Sequence, residues 1–318
     1  MTDLQWGRLS NDAFNVALFA YVAAMVGYFA YLAFRRDTLW LLARTVALVG
    51  LGANVVAVVS RAFAAHRVPW GNMYEYSILL ALLLVAGYLL IVEGHYKVRT
   101  LGGFALMFAV FTMAIAVSFL YVDPLPLVPA LNSYWIKIHV VAAISGSSLF
   151  ALGGGVLTTL FLIQDRRERR QLAVLRSQDP PPIMGGSLDM DAPPDFAADA
   201  DEPPAPPGLR RGFLPPAATL DVMAYRVIAF AFPIWTFAVI AGALWAQEAW
   251  GRYWGWDPKE TWSFITWVIY AGYLHARSTS GWKGRPAAVV ALVGFVSLLI
   301  TYYVVNLWIV GLHSYAGI

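Results

Sequence analysis

Eight apolar stretches, each about as long as a bilayer is thick, constrain this chain more than anything else in it. They lie at 13–34, 39–60, 75–93, 101–121, 135–163, 222–247, 259–277 and 287–312. A helix crosses a bilayer with roughly 20 mostly apolar residues. In hydrocarbon every backbone amide must be satisfied by protein, which leaves helices or closed barrels, and runs of this length select helices. Composition agrees: 59% of the 318 residues are hydrophobic and 13% are charged, against about 25% charged in a soluble domain. The expected fold is therefore all-α, a polytopic transmembrane helix bundle of about eight spans. The fifth and last segments are long enough to tilt or to project beyond the membrane.

Positive charge orients the bundle, because cytoplasmic connections are rich in Lys and Arg. If the spans alternate, Arg35, Arg36, Lys97, Arg99, Arg166, Arg167, Arg169, Arg170, Arg176, Arg277, Lys283 and Arg285 fall on one side. Arg61, Arg67, Arg252, Lys137 and Lys259 fall on the other. The first side is expected to be cytoplasmic, with both termini outside and the protein multi-pass in the cell (plasma) membrane. The first dozen residues are mixed in charge and lack the basic start of a signal peptide. Cysteine is absent, which removes thiolate ligands and thiol redox chemistry from the chain itself.

One composition break divides the chain. Membrane helices one to five occupy 1–165 and helices six to eight 220–318, separated by a cytoplasmic segment, 166–219, that is first basic and then rich in Pro and Asp. The stretch 177–216 buries too little apolar surface to fold and is expected to be a disordered linker.

The stretch Trp250 to Trp262, W-G-R-Y-W-G-W-D-P-K-E-T-W, joins the sixth and seventh segments on the outer side. An interfacial aromatic belt places one or two Trp or Tyr at a helix end; this stretch has four Trp and one Tyr in thirteen positions. It reads as a platform for a flat, partly apolar ligand. Asp257-Pro258-Lys259-Glu260 is a helix start, with Asp as cap, Pro in the first position and Glu placed to reach back. Gly251 and Gly255 let the backbone turn and approach a ligand. The helix amides beneath this loop favour an anionic group.

Five histidines are available. His139, near the outer end of the fifth segment, and His313, at the outer end of the last, lie at the level of the aromatic loop. Two imidazoles approaching a flat ligand from opposite faces is an arrangement that ligates a haem iron axially. His275 lies near the cytoplasmic end of the seventh segment, where it is either a functional intramembrane group or a residue that snorkels. His66 and His95 read as ordinary connection residues, and Tyr74-Glu75-Tyr76 as either an interfacial anchor or part of the outer site. Gly153-Gly154-Gly155, inside the fifth span, reads as a close helix contact or a flexible point. No phosphate loop, dinucleotide fingerprint or nucleophile elbow is present, and nothing points to nucleic acid.

These motifs resemble a known family. W-G-x-x-W-x-W-D-P-K-E-T-W, with Tyr270 and L-H-A-R at 274–277, is similar to the tryptophan-rich WWD signature of haem-handling proteins of cytochrome c biogenesis, in particular the CcsA/ResC type of System II. R-x-x-x-x-H-R-V-P-W-G-N-M-Y-E at 61–75, W-I-K-I-H-V at 135–140 and G-L-H-S-Y-A at 311–316 agree. The resemblance implies a membrane subunit of a cytochrome c haem lyase that exports haem and presents it for thioether attachment to the Cys-x-x-Cys-His motif of apocytochrome c. It implies haem b as ligand and a CcsB/ResB-type membrane subunit as partner. His139 and His313 would hold the external haem iron. His275 would hold haem within the membrane, opposite a histidine of the partner. Trp250, Trp254, Trp256, Asp257 and Trp262 would form the cofactor-binding loop. From charge and position, rather than from the resemblance, Lys259, Arg252 or the helix amides are expected to neutralise the propionates. The alternative is a haem or small-molecule transporter without synthase activity.

Overall fold

A computed structural model describes residues 1–124, 133–178, 212–279, 281–309 and 311–312. His313 and residues 179–211 of the linker lie outside the described residues. The protein is an all-α membrane helix bundle. We label its helices α1 (Asp3–Phe34), α2 (Asp37–Ala65), α3 (Met73–His95), α4 (Gly102–Phe119), α5 (Tyr134–Leu175), α6 (Ala217–Trp250), α7 (Pro258–Thr279) and α8 (Arg285–Trp308). Seven of the described helices are long and apolar enough to cross a membrane. The other, α7, has 22 residues and a length of about 33 Å at 1.5 Å per residue; Lys259, Glu260, Thr261 and Ser263 make its first turns polar.

Two boundaries differ from the hydropathy reading. α1 begins ten residues early, at Asp3, because Thr2 and Gln5 form a reciprocal capping box that fixes a polar first turn. The basic run at 166–170 is helical and extends α5, with Arg169 Nε 2.9 Å from Asp165 one turn back.

Contacts between connections define two ends of the bundle. At one, Arg35 donates to the carbonyl of Phe213 over 2.7 Å, Arg99 lies 3.3 Å from Asp37, and Arg285 lies 2.8 Å from Asp165. Arg277 makes a two-pronged pair with Asp221 at 2.8 and 3.0 Å. At the other, Asp3 meets His66 at 3.0 Å, and the backbone amide of Leu312 reaches Asp257 at 2.6 Å. The helices therefore alternate in direction. The first helix begins, and the described C-terminal residues end, at the same end as the aromatic loop.

Large apolar side chains such as Phe19, Leu41, Phe111, Phe230 and Val293 are exposed around the bundle, as expected of surfaces facing lipid chains. Between α5, α6, α7 and α8 a second core forms from Phe150, Trp235, Tyr270 and small residues. Phe150 and Tyr270 stack with ring centroids 3.9 Å apart and planes 4° from parallel. Gly154 makes this possible: a Cβ there would overlap the Tyr270 hydroxyl, and one at Gly294 would lie 2.9 Å from the same ring. The glycine run is thus a close helix contact. It lies in a π-helical segment, Ala151–Leu157, and α8 contains another, Ile300–Val304.

Candidate functional site

The loop end contains a cleft with about 1350 Å³ of empty space, the open solvent at its mouth included. Ligand sites for drug-sized molecules span about 300–1,000 Å³. Its walls are aromatic: Trp70, Tyr76, Trp235, Trp245, Trp250 and Trp254 come from four different parts of the chain. Ser147 of α5 and Leu298 and Tyr302 of α8 also line it.

Local structure builds each wall. α6 ends at Gly251, whose left-handed conformation (φ 72°) reverses the chain at little steric cost. Trp245 and Trp250, at the end of α6, meet edge to face at 4.8 Å. Trp254 is held edge-on by Trp256 at 5.8 Å and by Phe264 at 6.0 Å. The start of α7 has the expected cap: Asp257 Oδ2 accepts the Lys259 amide at 3.2 Å, and Glu260 Oε2 accepts the amides of Gly255 and Asp257 at 2.8 and 3.1 Å.

The opposite wall rests on a buried charge cluster. Glu75 has no exposed surface and takes Arg61 at 2.8 Å, Arg67 at 2.7 and 3.0 Å, and the Gly71 amide at 2.7 Å. A carboxylate so enclosed is tolerable only when paired and hydrogen-bonded. The cluster fixes the turn that carries Trp70.

His139 stands on α5 against the cleft. Its Nδ1 lies 2.7 Å from the carbonyl oxygen of Ala238 on α6. A carbonyl only accepts, so Nδ1 carries the proton and Nε2 carries the lone pair, the tautomer suited to ligating a metal. Gly242, one turn further along α6, leaves room for the ring: a Cβ there would come within 2.8 Å of its Nδ1 and Cε1.

The cleft thus brings together His139, Trp250 and Trp254 of the residues expected from sequence. Asp257 is buried behind the wall and joins the start of α7 to Leu312, the residue before His313. Trp256 stands outside the wall as an exposed support for Trp254, and Trp262 does not line the cleft. His275 is far from the cleft, exposed on the outer face of α7. That face also exposes Phe264, Val268 and Gly272 at helical spacing.

Sequence reading did not find Trp235, Trp245, Gly242 or Asn306. Trp235 and Trp245 lie inside an apolar span, and only their place on the core-facing side of α6 distinguishes them. Two buried polar atoms bordering the cleft, Trp70 Nε1 and Glu260 Oε1, have no hydrogen-bond partner among the described residues. Such orphans mark a place for a ligand or water. An aromatic-walled cleft, an imidazole with Nε2 as its basic nitrogen and unpaired polar atoms fit a planar metal macrocycle.

Comparison with known proteins gives a consistent result. Residues 70–313 match the family described as Cytochrome C assembly protein. The chain is 36% identical to the cytochrome c biogenesis protein CcsA of Porphyra purpurea, over 96% of this chain and 97% of that protein. It is 37% identical to CcsA of Gloeobacter violaceus, over 95% of this chain and 94% of that one. Among solved structures, the fold resembles the cytochrome c haem lyase CcmF, with a TM-score of 0.65 and 15% identity. That match covers 95% of this chain and 47% of CcmF, so this chain spans about half the length of the lyase.

Proposed function

This chain belongs to the cytochrome C assembly family as a CcsA-type cytochrome c biogenesis protein, and on that premise we propose that it exports haem b and presents it for attachment to apocytochrome c. The aromatic cleft is the external haem site. His139 is one axial ligand through Nε2, and His313 is the other. The loop end faces the extracytoplasmic side of the plasma membrane, with both termini there, a reading supported by the distribution of Lys and Arg.

Within this reading the porphyrin lies against Trp250 and Trp254, which supply flat apolar contact. The histidines keep the iron coordinated until a histidine of the apocytochrome replaces one of them. Attachment adds two substrate thiols across two vinyl groups; each S–H proton ends on vinyl carbon as a C–S bond forms. This chain supplies no thiol, so its part is to bind, orient and shield. His275, on an outward face, binds haem in transit together with a histidine of a CcsB/ResB-type subunit.

The observation that carries the proposal is the hydrogen bond from His139 to Ala238, which sets the ligating tautomer within the aromatic cleft. Purified protein co-expressed with its partner tests it. His139→Ala is expected to abolish the Soret band of external haem and thioether formation on a reconstituted apocytochrome. Wild-type haem content in that variant would sink the reading. If haem crosses in the wild type but no thioether forms, the protein is a transporter alone.

A further inference from the structure

Lys259 sits in an unusual position. It belongs to the first turn of α7, borders the aromatic cleft, and directs its ammonium at a neutral partner, Asn306 Oδ1, 2.7 Å away. Among the described residues Lys259 forms no ion pair within 4.0 Å. Of the two neighbouring acids, Asp257 acts on the Lys259 charge from nearby without pairing with the ammonium, and both acids accept main-chain amides. Asp257 holds the amides of Lys259 and Leu312, and Glu260 Oε2 holds those of Gly255 and Asp257. An ammonium has three N–H donors, and removing it from water is costly unless an anion or several acceptors replace the water.

Asn306 is itself positioned. Its Nδ2 donates to the carbonyls of Thr301 and Tyr302, at 3.2 and 2.5 Å. Both carbonyls belong to the π-helical segment of α8. This fixes the amide so that Oδ1 faces Lys259. The other basic candidate, Arg252, is exposed, folds back over Gly255 and does not line the cleft.

We propose that Lys259, oriented by Asn306, is the carboxylate-binding group of the cleft and sets which edge of the macrocycle enters first. This rests on the cleft being a haem site. A haem propionate accepts from the two remaining N–H donors of Lys259, with the α7 amides adding favourable potential. The propionate edge then points toward the junction of α7 and α8. The vinyl-bearing edge faces the mouth, beside exposed Tyr253, where a substrate thiol arrives from solvent.

The test compares haem with haem dimethyl ester, in which both carboxylates are neutral, by Soret titration of the purified complex. Wild type is expected to bind haem at least tenfold more tightly than the ester. Lys259→Met should remove that preference, read as the ratio of the two affinities, whereas Lys259→Arg should retain it. Asn306→Asp supplies an internal carboxylate to Lys259 and should also erase the preference, without deleting the cation. Equal wild-type affinities, or a preference that survives in Lys259→Met, would overturn the proposal. Failure of the haem reading looks different: neither ligand would give a His139-dependent Soret band, and the inference would fall with it.

Discussion

The carbonyl oxygen of Ala238 lies 2.7 Å from Nδ1 of His139, so a main-chain atom of α6 determines which imidazole nitrogen on α5 is basic. The contact needs the helices close together, and Gly242 permits it. Gly242→Ala is expected to push the ring off this carbonyl. Haem affinity should fall by roughly 10–100-fold, the range for losing a partner that orients a metal ligand. Haem titration measures it, and unchanged thermal unfolding would show that the loss is local.

Gly154 and Tyr270 make a cleaner cycle. Gly154→Ala places a methyl group on the Tyr270 hydroxyl and should cost about 1–3 kcal/mol by overpacking. Tyr270→Phe removes the obstructing oxygen and leaves Cζ 3.3 Å from the new methyl. Its own cost is the bond to the Ala291 carbonyl, about 1 kcal/mol. The double variant should be more stable than Gly154→Ala alone. Strict additivity in thermal unfolding would refute this account of the contact.

Glu75→Gln leaves Arg61 and Arg67 facing a neutral amide in a buried cluster. Breaking such a pair costs about 3–5 kcal/mol. The expected result is a large drop in unfolding temperature and loss of haem, because the Trp70 turn is released. A Glu75→Gln protein with wild-type stability would show that the cluster does not hold this wall.

Asp257→Ala removes a helix cap, at about 1 kcal/mol, and the acceptor of the Leu312 amide. Hydrogen exchange at Leu312 should rise while exchange in the middle of α7 stays near wild type. Equal protection at Leu312 in both proteins would mean that the C-terminal segment is held by something else.

His275→Ala should change stability by less than about 0.5 kcal/mol, as for exposed positions away from packed features. Haem retained by the chain co-expressed with its partner should fall nonetheless. A variant that keeps full haem content would remove His275 from the route.

Much of this was legible from sequence for specific reasons. Spanning helices are dictated by the length of their apolar runs, and the start of α7 by Asp257-Pro258 with Glu260 placed to reach back. The polar first turn of α1 escaped hydropathy because its signal is local, the pairing of Thr2 with Gln5. The aromatic loop announced a ligand platform, but it provides only part of one wall. Trp70, Trp235 and Asn306 reach the cleft through the packing of α3, α6 and α8, a relation no spacing in one segment encodes. Gly242 looked like any small residue of a membrane helix, and its purpose appears only beside His139.

The stacked rings of Phe150 and Tyr270 tie α5 to α7. His139 stands on α5 and Lys259 on α7, and both line the cleft. The stack is thus a spacer, and whatever shifts these two rings also changes the width across which the imidazole and the ammonium face each other.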